Sequence, residues 1–469
     1  MGSKTSKIAV IAAVTSLWPT FASPQQGGAG AAGGLQVDIG VSSKFSADSN
    51  FTLSAANPGT SYISDTKLTF GISSRTSAYD FSLTAGSVLR FADIPGRTVS
   101  GLEDPTLKLR FVADSSNSRL TVTGGYRFVD REFMNPFQVE REEQQLGTLV
   151  GNGGTLRDRS LGLKYEVGLN APLGLTLDLS HNKKDYDNVV SASIKDTTKN
   201  SAAATVRFKI NPLATGRFIV GQTRQKTYQS NSGALVTDRT TTDYALGVAY
   251  DINPVLNLDA QIGFTDIETT RLSGTSSRDG VVGSLTLTKT LTNGTIFGTI
   301  STTQNQNGQR TSLSFGRDLQ LPNGALRAMI GGSRADTGGS SVIGSLSYSK
   351  QFATDTLTVS LNRSTSTNAN DDEIIDTRLG IGYSHPINSV SRLSLSLDWG
   401  EQKDTGATTA STVELTNLQA TYSYDLTTDW SLSSGVEWRR KVDTDPLSPT
   451  DADSTSLFVT LGRNFSFRP

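Results

Sequence analysis

The sequence predicts an all-β chain: a transmembrane, antiparallel up-and-down meander β-barrel of about 22 strands, with short periplasmic turns and longer extracellular loops. Three observations lead there. Apolar and polar residues alternate with a period of two from about Leu35 to Phe467, as in strands whose two faces meet different surroundings. The alternating segments run to roughly 10–15 residues, where a strand crossing a membrane needs ~9–11 and a strand of a soluble domain is more often about 5–6. The polar face consists of Ser, Thr, Gly, Asp, Lys and Arg, which cannot fill a dry core without leaving polar groups unsatisfied.

The stretch "RLSLSLDWGEQKD" (392–404) carries the pattern in its clearest form. Leu393, Leu395, Leu397 and Trp399 fall on one side, and Ser394, Ser396 and Asp398 on the other. In a soluble sandwich the apolar side would face a shared core. With so polar an opposite face, the apolar side is the one that meets hydrocarbon.

Between these segments the connections alternate in length. Short ones include 74–78, 114–118, 170–174, 211–215, 251–255, 290–294, 321–324, 353–355, 386–391 and 426–429, each rich in the residues that set turn dihedrals. Longer polar links lie mostly between them, at 135–155, 188–198, 230–238, 367–373 and 443–454. An even strand number returns both ends to one side, as a closed meander requires. The barrel is expected to occupy 35–467.

Composition fits and excludes. Of 469 residues only 35% are hydrophobic, against roughly 45–50% apolar usage (glycine included) in globular domains. Disorder would explain that fraction but not a sustained period of two. With no cysteine there are no disulfides, thiolate metal sites or cysteine nucleophiles. A formal charge of -1 gives the chain no bias toward nucleic acid.

The N-terminus, "MGSKTSK" followed by the uncharged "IAVIAAVTSLWPTFA", reads as a cleaved signal peptide over 1–22, with Thr20 and Ala22 at the small-residue positions. Residues 23–34 form a flexible Gly/Ala lead-in. Its Gly28, Gly30 and Gly33 match G-x-G-x-x-G only formally, because a dinucleotide site needs a strand before and a helix after. A lead-in this short has no room for the plug of a receptor-type transporter.

Chemistry is sparse. His385 precedes Pro386 at a short turn. His181 lies near the long-loop rim beside Asn182, Lys183 and Asp185, without a recognisable nucleophile. The acidic stretches at 370–373 and 443–454 lack the spacing of a calcium loop. The expectation is no enzyme, no metal and no cofactor.

The charges within strands are more informative. The phase that sends Leu107, Leu109 and Phe111 to lipid sends Lys108 and Arg110 to the lumen, and it places Lys67, Arg90, Arg119, Arg127, Lys164, Arg207, Lys209, Arg327 and Arg378 there too. Inward acidic residues are fewer: Asp80, Glu166, Asp178, Asp259 and Asp398. Basic rings lower the barrier for anions, unless these carboxylates neutralise them. Tyr79, Tyr244, Tyr250, Trp399, Tyr422, Tyr424, Trp430 and Trp438 are the rings expected at the two lipid interfaces.

The last strand, "SLFVTLGRNFSF" (456–467), with Leu461, Phe465 and Phe467 on one face, resembles the C-terminal assembly signal of Gram-negative outer-membrane β-barrels. Arg463 breaks the apolar series, and Arg468 and Pro469 follow its terminal aromatic. That resemblance implies an outer-membrane location and the barrel assembly machinery as a partner. The Ser/Thr/Gly texture of the strands resembles the β-barrel porin families associated with polysaccharide export. The expected function is a porin-like passive channel or portal for polar solutes, anionic ones among them. The alternative is a structural or assembly barrel that conducts nothing by itself and serves as outer-membrane partner of a surface polysaccharide system. Expected partners are outer-membrane lipid, polysaccharide or small anionic solutes, and a separate periplasmic partner.

Overall fold

The computed structural model describes residues 34–134, 153–189, 194–336, 339–367, 373–404, 412–444 and 449–468. The expected signal peptide and lead-in lie outside these residues (Gly34 apart), as do most of 135–155 and all of 370–373 but Glu373.

Strands form along the whole described chain. They are β1 (Gly34–Asp48), β2 (Ser61–Arg75), β3 (Tyr79–Ile94), β4 (Arg97–Asp114), β5 (Ser118–Asp130), β6 (Thr155–Val167) and β7 (Leu173–Asp187). Next come β8 (Lys195–Asn211), β9 (Ala214–Gln229), β10 (Leu235–Asn253), β11 (Leu256–Arg271), β12 (Gly274–Leu291), β13 (Gly294–Asn305) and β14 (Gly308–Leu321). The series ends with β15 (Gly324–Ala335), β16 (Ser340–Gln351), β17 (Thr356–Thr367), β18 (Glu373–Pro386), β19 (Ser391–Asp404), β20 (Thr412–Asp425), β21 (Trp430–Asp443) and β22 (Thr450–Phe467). Among the described residues one 3-10 turn, Arg131–Phe133, follows β5.

All 22 strands belong to one sheet. Each is antiparallel to its predecessor, and β1 pairs with β22 from Val37↔Phe467 to Asp48↔Ser456. The sheet therefore closes on itself and leaves no free edge.

The side-chain period of two then decides the two faces. The outer face holds bulky apolar residues that a soluble protein would bury: Ile262 is 64% exposed, Ile330 67% and Leu457 63%. Such a surface is stable only against hydrocarbon. Trp430 and Trp438 mark the two ends of this band on β21. Their eight-residue separation spans about 26 Å along the strand, or roughly 20 Å across the band at a tilt of about 40°.

Two sequence expectations need correcting. The strands reach 19 residues in β10 and 18 in β4, β12 and β22, longer than the alternation suggested. The polar stretches read as loops at 195–198, 235–238 and 450–454 are paired strand. Their threonines and charges still satisfy the ladder beyond the apolar band, so polarity there marks the end of lipid and not the end of the strand. On the same side, three links are tight: 95–96, 272–273 and 306–307. Gly96, Gly274 and Gly308 supply the positive φ (89°, 128° and 134°) that these short reversals need.

Candidate functional site in the lumen and its mouth

The face opposite the apolar stripe lines the lumen. The ladder puts all eleven basic residues named from the sequence on that face. Lys67 lies with Asp65 on β2, Arg90 on β3, Lys108 and Arg110 on β4, Arg119 and Arg127 on β5, and Lys164 on β6. Arg207 and Lys209 follow on β8, Arg327 on β15 and Arg378 on β18. The five carboxylates Asp80, Glu166, Asp178, Asp259 and Asp398 share it.

Most of the cations are neutralised by side chains near them. Arg90 holds Asp65 through both Nε (2.8 Å) and Nη2 (3.0 Å), and its Nη2 also donates to Asp104 at 2.9 Å. Arg119 pairs with Asp114 at 2.5 Å, Arg127 with Asp158 at 3.5 Å and Lys164 with Glu166 at 3.1 Å. Arg327 pairs with Asp318 at 3.3 Å and Arg378 with Asp376 at 2.7 Å. Arg207 donates to the carbonyls of Gly168 and Leu169, each at 3.0 Å. Lys108, Arg110 and Lys209 have no ion-pair partner among the described residues, and Lys67 lies close enough to Lys108 for the two to repel. Two of the three cations without an ion-pair partner therefore stand on β4 and the third on β8.

The opposite wall is hydroxylic. Thr286 and Thr299 lie 3.0 Å apart at their hydroxyls, and Ser301 and Ser312 lie 2.8 Å apart. Phe297 turns inward beside Gly316, where an added Cβ would meet its ring at 2.1 Å. The lumen thus has a cationic side and a neutral, hydrogen-bonding side.

Two segments that sequence reasoning did not single out pack on the inner wall at its mouth. Phe51, in the link from β1 to β2, and Phe133, in the 3-10 turn, pack on the inward-facing Ile63, Ala92, Ile94 and Val99. Their ring centroids are 5.2 Å apart at 44°. The Arg90 guanidinium lies 3.8 Å from the Phe133 centroid and that of Arg439 5.8 Å from Phe51. Fully buried Asn50 anchors the first segment. Its amide donates to the carbonyls of Ser54 (2.9 Å) and Asp453 (3.2 Å), and its backbone N–H donates to Asp48 at 3.1 Å. Asp48 in turn accepts from Arg439 and Ser454. A bulge in β4 completes the arrangement. Asp104, at φ 52°, accepts from Arg90 and from the backbone N–H of Asp130 at 3.3 Å, and so ties the wall to the end of β5, just before the turn that carries Phe133.

Near the same mouth, Arg97 pairs with Glu132 and, at 3.6 Å, with Asp130. Burial still pushes the Glu132 carboxyl above the ordinary carboxylate range, against the pull of Arg97. A second cluster lies next to it: Val129, Leu156, Tyr186, Val189 and Ile194 pack together, with Arg131 over the Tyr186 ring.

Neither histidine forms a site. His181 stands on the outer face and meets Asn200 at 2.6 Å. His385 meets Asp355 at 2.5 Å in a short turn, where that contact and the Tyr383 hydroxyl hold the Asp355 carboxyl below its usual range. Among the described residues, no group of His, Cys, Asp or Glu could hold a metal ion.

The aromatic residues expected at the lipid interfaces all share the outer face. Tyr79, Tyr250, Tyr422, Tyr424 and Trp430 sit at the short-turn end, and Tyr244, Trp399 and Trp438 toward the loops. Trp399 Nε1 donates to Glu414 at 2.8 Å, which ties the ring to the polar zone above the band. Leu461, Phe465 and Phe467 face outward on β22, and Arg463 among them lies 5.1 Å from the Trp430 centroid and 4.1 Å from that of Phe465.

Sequence phase missed Lys44, Arg217, Arg310 and Arg439 on the inner wall. Arg217 clasps Asp259 through two nitrogens (2.7 and 2.6 Å), yet the run Phe218–Ile219–Val220 hides which neighbour is outward. In "RRK" (439–441) the charges run without a break, so parity there needs the register of β21.

A closed all-β barrel of 22 antiparallel strands, with an apolar exterior and a polar interior, is of the outer-membrane type. No known family model matches the chain, and no curated protein is similar to it in sequence. Its fold is similar to that of solved outer-membrane proteins. One is the FrpB iron transporter from Neisseria meningitidis (F3-3 variant), with 8% identity, TM-score 0.58, and coverage of 92% of this chain and 82% of that one. Another is the siderophore receptor PirA from Acinetobacter baumannii, with 11% identity, TM-score 0.55, and coverage of 92% and 80%. A third is the copper transporter OprC, with 11% identity, TM-score 0.54, and coverage of 92% and 81%. None of the three is a polysaccharide-export porin.

Proposed function

We propose that the chain is an outer-membrane transport barrel, a passive conduit for polar solutes that favours anions. The observation that carries this reading is the segregation of charge in the lumen. Lys108 and Arg110 stand on one wall with no ion-pair partner among the described residues, while Arg90, Arg119, Arg127, Lys164, Arg327 and Arg378 are ion-paired. A solute passing through the lumen meets fixed positive charge on one side and hydroxyls on the other, and both can replace water around an anion. Its fold neighbours, transporters of iron and copper and a siderophore receptor, support outer-membrane transport as the general role.

The test is conductance and ion selectivity in a planar bilayer. Purified barrel is expected to give discrete current steps and a reversal potential displaced toward the anion's in a salt gradient. A barrel that inserts and stays silent would favour a structural role as the partner of a surface system.

A further inference from the structure

Beyond the lumen, the outer face of β6–β9 carries a pattern that conduction does not use. The ladder arranges its outward residues in rows. Leu163, Leu179, Ala202 and Gln222 end the apolar band, and the next row toward the loops is Leu161, His181, Asn200 and Arg224. The row beyond that is Arg159, Lys183, Thr198 and Lys226. Four cations thus stand in the first two rows above the band, and two carboxylates reach them. Asp185 is shared by Arg159 (2.6 Å) and Lys183 (2.9 Å), and Asp238 by Arg224 (2.7 Å) and Lys226 (3.6 Å). Four cations less two carboxylates leave a surplus of two positive charges, one in each cluster. Roughly two and a half strand spacings, about 12 Å, separate the clusters.

The neighbouring sector has the opposite sign. On β11 and β12, Asp266 and Asp279 face each other across the ladder at the outer face, with Glu268 next to them. Below the cations the outward residues Ala202 and Ala204 of β8 are small, between the larger Leu179 and Leu177 of β7 and Gln222 and Val220 of β9. They leave a shallow furrow in the band directly beneath the charge.

Building on the membrane reading above, we infer that this face binds a phosphorylated glycolipid of the outer leaflet. Its two headgroup phosphates would sit on the Arg159–Lys183 and Arg224–Lys226 clusters, and an acyl chain would lie along the β8 furrow. Charge complementarity selects the occupant: at the edge of the hydrocarbon, a surplus of two cations suits an anionic lipid headgroup and not a neutral one.

The probe is a diphosphorylated glycolipid offered to the full-length barrel in nanodiscs, with retention read by native mass spectrometry. Its dephosphorylated form and inorganic phosphate serve as the other arms. The double variants Arg159→Gln/Lys183→Gln and Arg224→Gln/Lys226→Gln are each expected to retain about tenfold less lipid, the scale of losing charged hydrogen bonds, whereas Asp266→Asn/Asp279→Asn retains it fully. Heat-dependent gel mobility confirms that each variant has folded. Unchanged retention in both basic variants, equal retention of the dephosphorylated lipid, or equal binding of inorganic phosphate would each overturn the inference. A barrel that conducts in bilayers but fails these tests sinks this inference alone, while one that never enters a bilayer sinks the membrane reading first.

Discussion

Phe51 and Phe133 meet with ring centroids 5.2 Å apart inside the mouth of the barrel, and neither belongs to a strand. Each is backed by a guanidinium, that of half-buried Arg439 behind the first and that of buried Arg90 behind the second. The pair packs on the inward-facing Ile63, Ala92, Ile94 and Val99, and so occupies the entrance on the side of β1–β5.

Phe133→Ala should widen that entrance. The aromatic pair contributes about 0.5–1.5 kcal/mol beyond its buried area, too little to unfold a closed barrel. Single-channel conductance is expected to rise while heat-dependent gel mobility stays unchanged. Unaltered conductance in both Phe133→Ala and Phe51→Ala would show that the narrowing lies elsewhere.

The mouth should also respond to pH. Glu132 holds its proton more tightly when the 3-10 turn is docked, because burial raises its pKa there. A displaced turn would return it to the ordinary carboxylate value. The docked state therefore binds more protons and is favoured as pH falls through the window just above the usual carboxylate range. Conductance should fall on mild acidification in that window, and Glu132→Gln should remove the dependence by keeping the turn docked at every pH.

Selectivity should follow the unpaired cations. Lys108→Ser together with Arg110→Ser is expected to move the reversal potential toward the cation's. A unit charge contributes about 1 kcal/mol at 4 Å in water-like surroundings, so the permeability ratio should change several-fold. Arg327→Ser, whose charge is already matched by Asp318, should leave the ratio lower by less. Equal shifts would remove the distinction between paired and unpaired cations.

Facing can be tested by charge insertion. Leu395 and Ser396 are neighbours on β19 with opposite faces. Leu395→Arg should impair assembly by roughly 2–4 kcal/mol if the site is near the midplane. Ser396→Arg should be tolerated in the lumen.

Much of this architecture was legible because a strand exposes its environment in every second residue. "RLSLSLDW" (392–399) assigns its own faces, and so does Lys108–Phe111. Legibility failed where that period was masked. The isoleucine in Phe218–Ile219–Val220 concealed Arg217, and the unbroken charges at 439–441 concealed Arg439. Arg463 looked like an interruption of the last apolar stripe. It stays on the outer face and lies against Trp430 and Phe465, a placement that lets a long cationic side chain reach the interface. Phe51 and Phe133 were illegible for another reason: they lie in links, where no period operates and only the register of β1–β5 brings them together. Pairing was equally hidden, since Arg90 finds Asp104 through a bulge with no signal beyond Pro105 in mid-strand.

The account rests on which face of each strand meets hydrocarbon, and the absence of cysteine allows that to be measured directly. Leu395→Cys and Ser396→Cys, each the sole thiol in the chain, can be exposed to a membrane-impermeant maleimide after reconstitution. A fluorophore at each site can then be quenched by lipids brominated in their tails. The account expects Cys at 396 to react and resist quenching, and Cys at 395 to be shielded and strongly quenched. The reverse pattern, or equal reactivity at the two positions, would contradict it.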